Sequence, residues 1–440
     1  MPTSRNGSQI LRLALLAVLL TGSLAPALQA QLLWNSTANY QYNVDSLIYV
    51  PSTHVLTVVF SVTNPMSANT PYNILSGVAP YPAGVASLRV VVGWTNNSYG
   101  LPEFTNTAAI TTVTRTWMTA VPPTAPNGVA PAAPVSLNAL AGPTAAKPCG
   151  AAGSPPFCPT GRFWMITTLP AQVSGVGRLL IEGHPSEQTG FDALNQPVYA
   201  SVPVKTLARD FAIDTATPRR QIVEFNKCKQ CHDDRQHGNT IVPRLSLHGA
   251  NRNEEPAACV VCHNPNQTDA AYRASGAEQS VDFKRMVHSI HAGGFRKTPF
   301  SVVGFRGTVV DFSQVRFPSE LRNCTKCHID DGRKGTFELR QVTKLGSTIN
   351  TGSVINNTTS STVDRDPSND LRISPIAATC SGCHDSAEVR SHMISKGASF
   401  GAYQSVLEGK EQCVTCHGPG RSEDVRRAHE IRTSGSTYDR

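Results

Sequence analysis

The chain has 440 residues, enough for two or three domains, and a formal net charge of +8. Its Lys and Arg are dispersed rather than gathered into a basic block, which argues against a nucleic-acid binder. It holds 12 cysteines, and their spacing carries most of the functional information.

Residues 1–30 read as a Sec-type secretory signal peptide. Arg5 and Arg12 form a positive start, and the apolar run LALLAVLL at 13–20 is too short to span a bilayer. Ala25-Pro26-Ala27 or Leu28-Gln29-Ala30 would suit cleavage. An uncleaved membrane anchor is the alternative. No cysteine adjoins the cleavage region, so no lipid anchor is expected there.

Residues 31–212 predict a β-rich domain, a sandwich or barrel. Alternating or β-branched segments occur at 46–50, 55–63, 87–94, 108–117, 162–169, 177–183 and 198–204, separated by Pro, Gly, Asn and Ser. The stretch 121–160 holds ten prolines and many alanines and is expected to be a long connection, not a packed element. Cys149 and Cys158 lie in it; in an exported protein they predict a disulfide, with free thiols as the alternative. His54 and His184 lie far from any other candidate site and read as ordinary histidines.

The remaining ten cysteines fall in five C-x-x-C-H motifs: CKQCH at 228–232, CVVCH at 259–263, CTKCH at 324–328, CSGCH at 380–384 and CVTCH at 413–417. This is the attachment sequence of c-type haem. Cys228, Cys231, Cys259, Cys262, Cys324, Cys327, Cys380, Cys383, Cys413 and Cys416 would form the thioethers, and His232, His263, His328, His384 and His417 would be the proximal iron ligands. Zinc is the bland alternative. It would favour paired C-x-x-C halves closing one tetrahedral site, and would not require a histidine abutting each pair.

Five covalent haems therefore define residues 213–440 as a pentahaem domain of short helices and loops, with porphyrin supplying much of its apolar interior. Loss of Arg5 and Arg12 and the net negative charge of each haem would bring the mature holoprotein to about +1. Two inserts interrupt the region: 299–318 predicts a β-hairpin, and 345–370, rich in Ser, Thr and Asn, predicts a surface loop.

Each iron needs a sixth ligand. Outside the motifs the region holds His237, His248, His288, His291, His392 and His429. His237 stands five residues past His232 in a polar stretch and reads as a surface residue. That leaves His248, His288, His291, His392 and His429 as distal candidates, five for five irons. His288 and His291 lie three apart on one face of a predicted helix, so they are expected to serve two different haems brought close together. A propionate hydrogen bond is the bland role for any single histidine. Met286 and Met393 are the alternative ligands.

The segments LSLHGANRN at 245–253, CVVCHNPNQTD at 259–269, VDFKRMVHSIHAG at 281–293, LRNCTKCH at 321–328, CSGCHDS with its following SHM in 380–393, and CVTCHGPG at 413–420 resemble the OmcA/MtrC family of outer-membrane multihaem cytochromes. Such proteins are typically decahaem, built as two β-domain-plus-pentahaem halves; this chain resembles one half. The resemblance implies bis-histidine ligation on the five distal candidates and electron delivery to extracellular acceptors. Expected partners are other cytochromes, a porin–cytochrome assembly, a flavin-type shuttle or a metal oxide. The location would be the cell surface or periplasm. The competing function is a multihaem reductase with one open iron acting on a small oxyanion or nitrogen oxide. A haem storage or structural role is a third reading.

Overall fold

A computed structural model describes residues 34–96, 103–104, 134–171, 173–214, 220–237, 240–265, 267–269, 275–277, 279–304, 307–332, 334–339, 348–349, 354–356, 372–402 and 411–431. The predicted signal peptide, the predicted strand at 108–117 and most of the predicted loop at 345–370 lie outside the described residues.

The chain is multidomain, and its first part is a sandwich, not a closed barrel. One sheet has the order β1 (Gln41–Val50), β2 (Val55–Asn64), β8 (Phe163–Thr168) and β7 (Lys147–Pro148), with β3 (Thr70–Pro71) also on β2. The other has the order β12 (Leu207–Ala212), β9 (Val176–His184), β4 (Ser87–Asn96) and β5 (Glu103–Phe104), with β6 (Val135–Asn138) also on β4. β10 (Ser186–Phe191) and β11 (Pro197–Ser201) form a separate hairpin. All these pairings are antiparallel.

Inward residues alternate as the pleat requires: Leu56, Val58, Phe60 and Val62 from β2 meet Leu88, Val90, Val92 and Trp94 from β4 in one core. Each such side chain contributes about 1.5–3 kcal/mol on burial. Both sheets also have covered outer faces. On the first, Val59 and Trp164 pack with Cys149 and Cys158. The Cα atoms of these cysteines are 5.2 Å apart, within bridging range.

Part of the stretch 121–160 thus departs from the expectation of an unpacked connection. Its Val135 and Leu137 are buried on β6, and Cys149 N–H donates to Arg162 O at 2.9 Å. The reason is the short V-S-L-N alternation, which supplies two apolar residues to a core that proline content alone would not suggest.

Residues after 220 contain little regular structure: α1 (Phe225–Lys229), α2 (Pro256–Cys262), α3 (Phe283–His291), α4 (Pro375–Cys380), α5 (Ala387–Ser395), α6 (Val414–His417) and α7 (Val425–Ala428). The hairpin expected in 299–318 is present, Ser301–Val303 pairing with Val309–Asp311.

Helix α2 covers the outer face of the second sheet, where Ala258, Val260 and Val261 meet Val91 and Leu180. Every residue of β9 is consequently buried. Polar ties flank this seam. Arg178 pairs with Asp210 and donates to Ala257 O at 2.8 Å; Arg252 donates to the buried Glu182 at 2.7 Å. Gly183 N–H donates to Asn251 O at 3.0 Å. Gly183 has φ +133°, and a Cβ there would lie 2.2 Å from Ser87 O, so only glycine fits this crossing.

Candidate functional site

The five motifs share one local backbone. In each, the histidine N–H donates to the carbonyl of the first cysteine: His232 to Cys228 at 2.9 Å, His263 to Cys259 at 2.8 Å, His328 to Cys324 at 2.9 Å, His384 to Cys380 at 2.8 Å and His417 to Cys413 at 2.9 Å. One helical turn places the first cysteine and the histidine, four residues apart, on the same side.

Each motif histidine then faces one of the other histidines. Ring centroids are 6.2 Å apart for His232–His291, 6.0 Å for His248–His263, 6.1 Å for His288–His328, 5.9 Å for His384–His429 and 6.2 Å for His392–His417. A metal–imidazole bond of about 2 Å on each side, plus a ring radius of about 1.1 Å, separates trans imidazole centroids on one metal by about 6.2 Å. The spacing therefore fits a single metal between each pair of rings. Among the described residues no three His, Cys, Asp or Glu side chains gather as a zinc site requires.

The ring orientations fit the same purpose. His232 Nδ1 lies 2.9 Å from Pro243 O, His263 Nδ1 3.1 Å from Val281 O, His291 Nδ1 2.8 Å from Val287 O, His417 Nδ1 3.0 Å from Glu423 O, and His429 Nδ1 2.8 Å from Val425 O. A carbonyl only accepts, so Nδ1 carries the proton and Nε2 keeps its lone pair for a metal. His328 Nδ1 lies 3.2 Å from Thr336 Oγ1, whose own proton goes to Ile222 O at 2.6 Å. The hydroxyl must then accept from His328, which fixes the same tautomer. Burial pushes His288 down to about 4 and His328 down to about 3, so both rings are neutral. Burial likewise pushes the Cys259 and Cys380 thiols up to about 12, surroundings that suit an uncharged thioether better than a thiolate.

Local structure delivers the facing histidines in different ways. His248 sits at the tip between Ser246–Leu247 and Arg252–Asn253, in a left-handed run of His248 (φ 54°), Gly249 (φ 67°) and Ala250 (φ 63°). Two non-glycine residues in that conformation are uncommon and mark a constrained turn. His288 and His291 project from α3 toward different partners, His328 and His232. His392 lies on α5, and His429 caps α7.

The motifs adjoin in a fixed sequence. The first and third lie back to back: Val223 bridges His328, and Lys227 Nζ donates to Thr325 O at 3.0 Å and His328 O at 2.6 Å. The third and fourth meet around α3. His288 faces His328, while Gly382 and Cys383 of the fourth motif lie against His288. The fourth and fifth join where Glu411 accepts from Ile376 N and Ala377 N, both at 2.8 Å, at the start of α4. The second stands beside the sandwich, tied to the start of α3 by Phe283 N–H donating to His263 O at 3.0 Å. A continuous cavity of 1420 Å³ runs past both histidines and both cysteines of the third, fourth and fifth pairs, and reaches His291 and His263.

The other candidates stand apart. His54 Nδ1 lies 2.9 Å from Tyr49 Oη, and His184 is buried beside Ser186. The His237 backbone pairs with Thr240 in a short ladder. Met393 packs with Ile373, Ala377, Ala378 and Ala398. The sequence reading passed over Arg252 with Glu182, Thr336 behind His328, and Arg426 with Asp330 and Glu338. None carries a motif; each gains a role only from its neighbours in space.

Paired thiols with an abutting histidine are the residues that attach c-type haem, and the third, fourth and fifth sets line one shared cavity. Residues 220–430 match the family described as outer membrane cytochrome MtrC/MtrF-like, domains II/IV. Over that stretch the chain resembles the OmcA/MtrC family of outer-membrane cytochromes. Two solved structures are similar. MtrC from Shewanella baltica OS185 is 16% identical with a TM-score of 0.49, covering 91% of this chain and 54% of that one. The outer membrane decaheme cytochrome OmcA is 17% identical with a TM-score of 0.40, covering 80% of this chain and 44% of that one. In both cases the chain spans about half the length of the structure it matches. No curated protein matches it.

Proposed function

We propose that the chain is an exported pentahaem c-type cytochrome that conducts electrons along closely spaced bis-histidine haems. The observation that carries this reading is the set of five facing histidine pairs at 5.9–6.2 Å, each with one member in a C-x-x-C-H motif. Haem iron supplies one-electron redox chemistry when bound. The two cysteines of each motif would attach the haem, the two facing histidines would ligate its iron, and the Nδ1 hydrogen bonds keep the rings oriented for that. If each facing pair held one haem iron, no iron would be left open to a small substrate, which weighs against the reductase reading.

The adjoining motifs support a relay through the first, third, fourth and fifth haems, with the second as a branch beside the β domain. Residues 31–212 would serve as a docking and spacing domain, with Cys149 and Cys158 disulfide-bonded, and residues 213–440 as the haem domain. Among the described residues no helix is long and apolar enough to cross a membrane. The match of residues 220–430 to that family model supports a place in electron transfer at the outer membrane, to partner cytochromes, a porin–cytochrome assembly, a soluble flavin-type shuttle or a metal oxide.

The test is a haem count by pyridine haemochrome with low-temperature electron paramagnetic resonance on the oxidised holoprotein. Five haems per chain, all low-spin, are expected. A stoichiometric high-spin ferric signal would overturn the conduit reading and turn the search to small oxyanion substrates.

A further inference from the structure

Helix α7, capped at its C-terminus by His429, is only four residues long. So short a helix does not hold its own shape, because nucleation costs more than its few hydrogen bonds return. Arg426 is its main anchor. The residue is 6% exposed. Its guanidinium forks onto Asp330, with Nη1–Oδ2 at 2.9 Å and Nη2–Oδ1 at 2.8 Å. Nη2 also donates to Glu338 Oε1 at 2.8 Å and Nε to the same oxygen at 3.3 Å. Its Cζ lies 5.0 Å from the centre of the Phe337 ring.

All three partners belong to the segment that leaves the third motif. Asp330 is two residues past His328, and Phe337 stands edge-on to His328 at 6.1 Å. Glu338 Oε1 additionally accepts from Gly335 N–H at 3.0 Å. One guanidinium thus ties the proximal side of the third site to the helix whose histidine faces His384 of the fourth.

We propose that Arg426 is a positioning residue for His429, holding the sixth ligand of the fourth haem in place through this tie; the proposal rests on the bis-histidine reading above. Arg426 and His429 are three residues apart on one helix, so a shift of the first carries the second with it. Removing the cation takes away the positive charge held between Asp330 and Glu338, whose side chains are 9% and 4% exposed. They would repel and seek water, prising α7 away. A displacement of about 1 Å is half an iron–imidazole bond length.

The test compares holoproteins of the wild type, Arg426→Gln, Arg426→Lys, His429→Ala and Leu88→Ala. Leu88 is fully buried in the sandwich core and serves as a purely structural control. The readouts are haem count, paramagnetic resonance of the oxidised form and carbon monoxide binding to the reduced form. The expected Arg426→Gln protein keeps five haems, one of them high-spin and binding carbon monoxide, with the spectrum of His429→Ala. Arg426→Lys retains the charge without the fork and shows a smaller high-spin fraction. Leu88→Ala melts earlier but stays wholly low-spin.

Five low-spin haems in Arg426→Gln, loss of a haem instead of a ligand, or a high-spin signal in Leu88→Ala would each overturn the proposal. If Arg426→Gln does not accumulate, Arg426→Lys decides alone, and a wholly low-spin spectrum overturns it. A high-spin haem already present in the wild type would instead sink the bis-histidine reading.

Discussion

Gly382 lies inside the fourth motif, yet its substitution is expected to disturb the third site. A Cβ at Gly382 would stand 2.7 Å from His288 Cβ, 3.1 Å from Thr379 O and 3.4 Å from Arg285 O. Carbon–carbon contacts become comfortable only from about 3.5 Å, so α3 would have to withdraw by about 0.8 Å. Little slack exists. Arg285 Nη1 donates to Ser381 Oγ at 2.7 Å, and Arg296 Nη1 donates to Ser381 O at 2.9 Å and to Gly382 O. Overpacking of this kind costs about 1–3 kcal/mol, a fall in melting temperature of roughly 2–10 °C. His288 faces His328 at 6.1 Å, close to the spacing two bonds to one metal require, so withdrawal would stretch the proposed ligation at the third site. The assay is thermal unfolding followed in the Soret band, with paramagnetic resonance of Gly382→Ala beside His288→Ala. An unchanged midpoint together with unchanged low-spin signals would refute the reasoning.

Three further outcomes are expected. His291→Ala opens the iron beside His232 alone, so one haem of five becomes high-spin and binds carbon monoxide; a wholly low-spin variant would show that another residue supplies that ligand. Val261→Ala, at the seam between α2 and the second sheet, removes two methyl groups from a fully buried site and costs about 2 kcal/mol, read as a lower denaturation midpoint. Arg252→Met strips the buried Glu182 of its cation and costs about 3 kcal/mol at neutral pH. Burial, against the pull of Arg252, already raises the Glu182 carboxyl above its ordinary 4.5. The folded state therefore holds this proton more tightly than the unfolded chain, and its contribution to stability falls as pH rises from about 4.5. The Arg252→Met deficit should accordingly shrink as pH drops toward that value, and adding Glu182→Gln should recover most of it. A deficit independent of pH would assign the loss to packing.

The five C-x-x-C-H motifs were legible because their chemistry is local. Four residues of one helical turn place the first cysteine and the histidine together, whatever the rest of the chain does. The strands of the sandwich were legible for a similar reason: VLTVVFSVT and SLRVVVGW are β-branched runs bounded by turn residues. The small alternation at Val135–Asn138 was obscured by surrounding proline and alanine, since its burial comes from β4 rather than from its neighbours in sequence. β9 shows no simple alternation because α2 covers the face that water would otherwise meet.

Sequence alone determined the number of motifs, the number of spare histidines and the helical spacing that sets His288 and His291 three residues apart on one helix. Tertiary structure decided which rings face each other. His248, 15 positions before His263, faces it across a left-handed turn, whereas His392 passes over the nearby His384 and meets His417, leaving His384 to His429. Such pairings depend on how α3, α5 and α7 dock. Docking rests on contacts between residues far apart in the chain: Arg426 with Asp330, Gly382 with His288 and Glu411 with α4. Periodicity and motif spacing record only what lies within a turn or a strand, so long-range packing had to assign each histidine its partner.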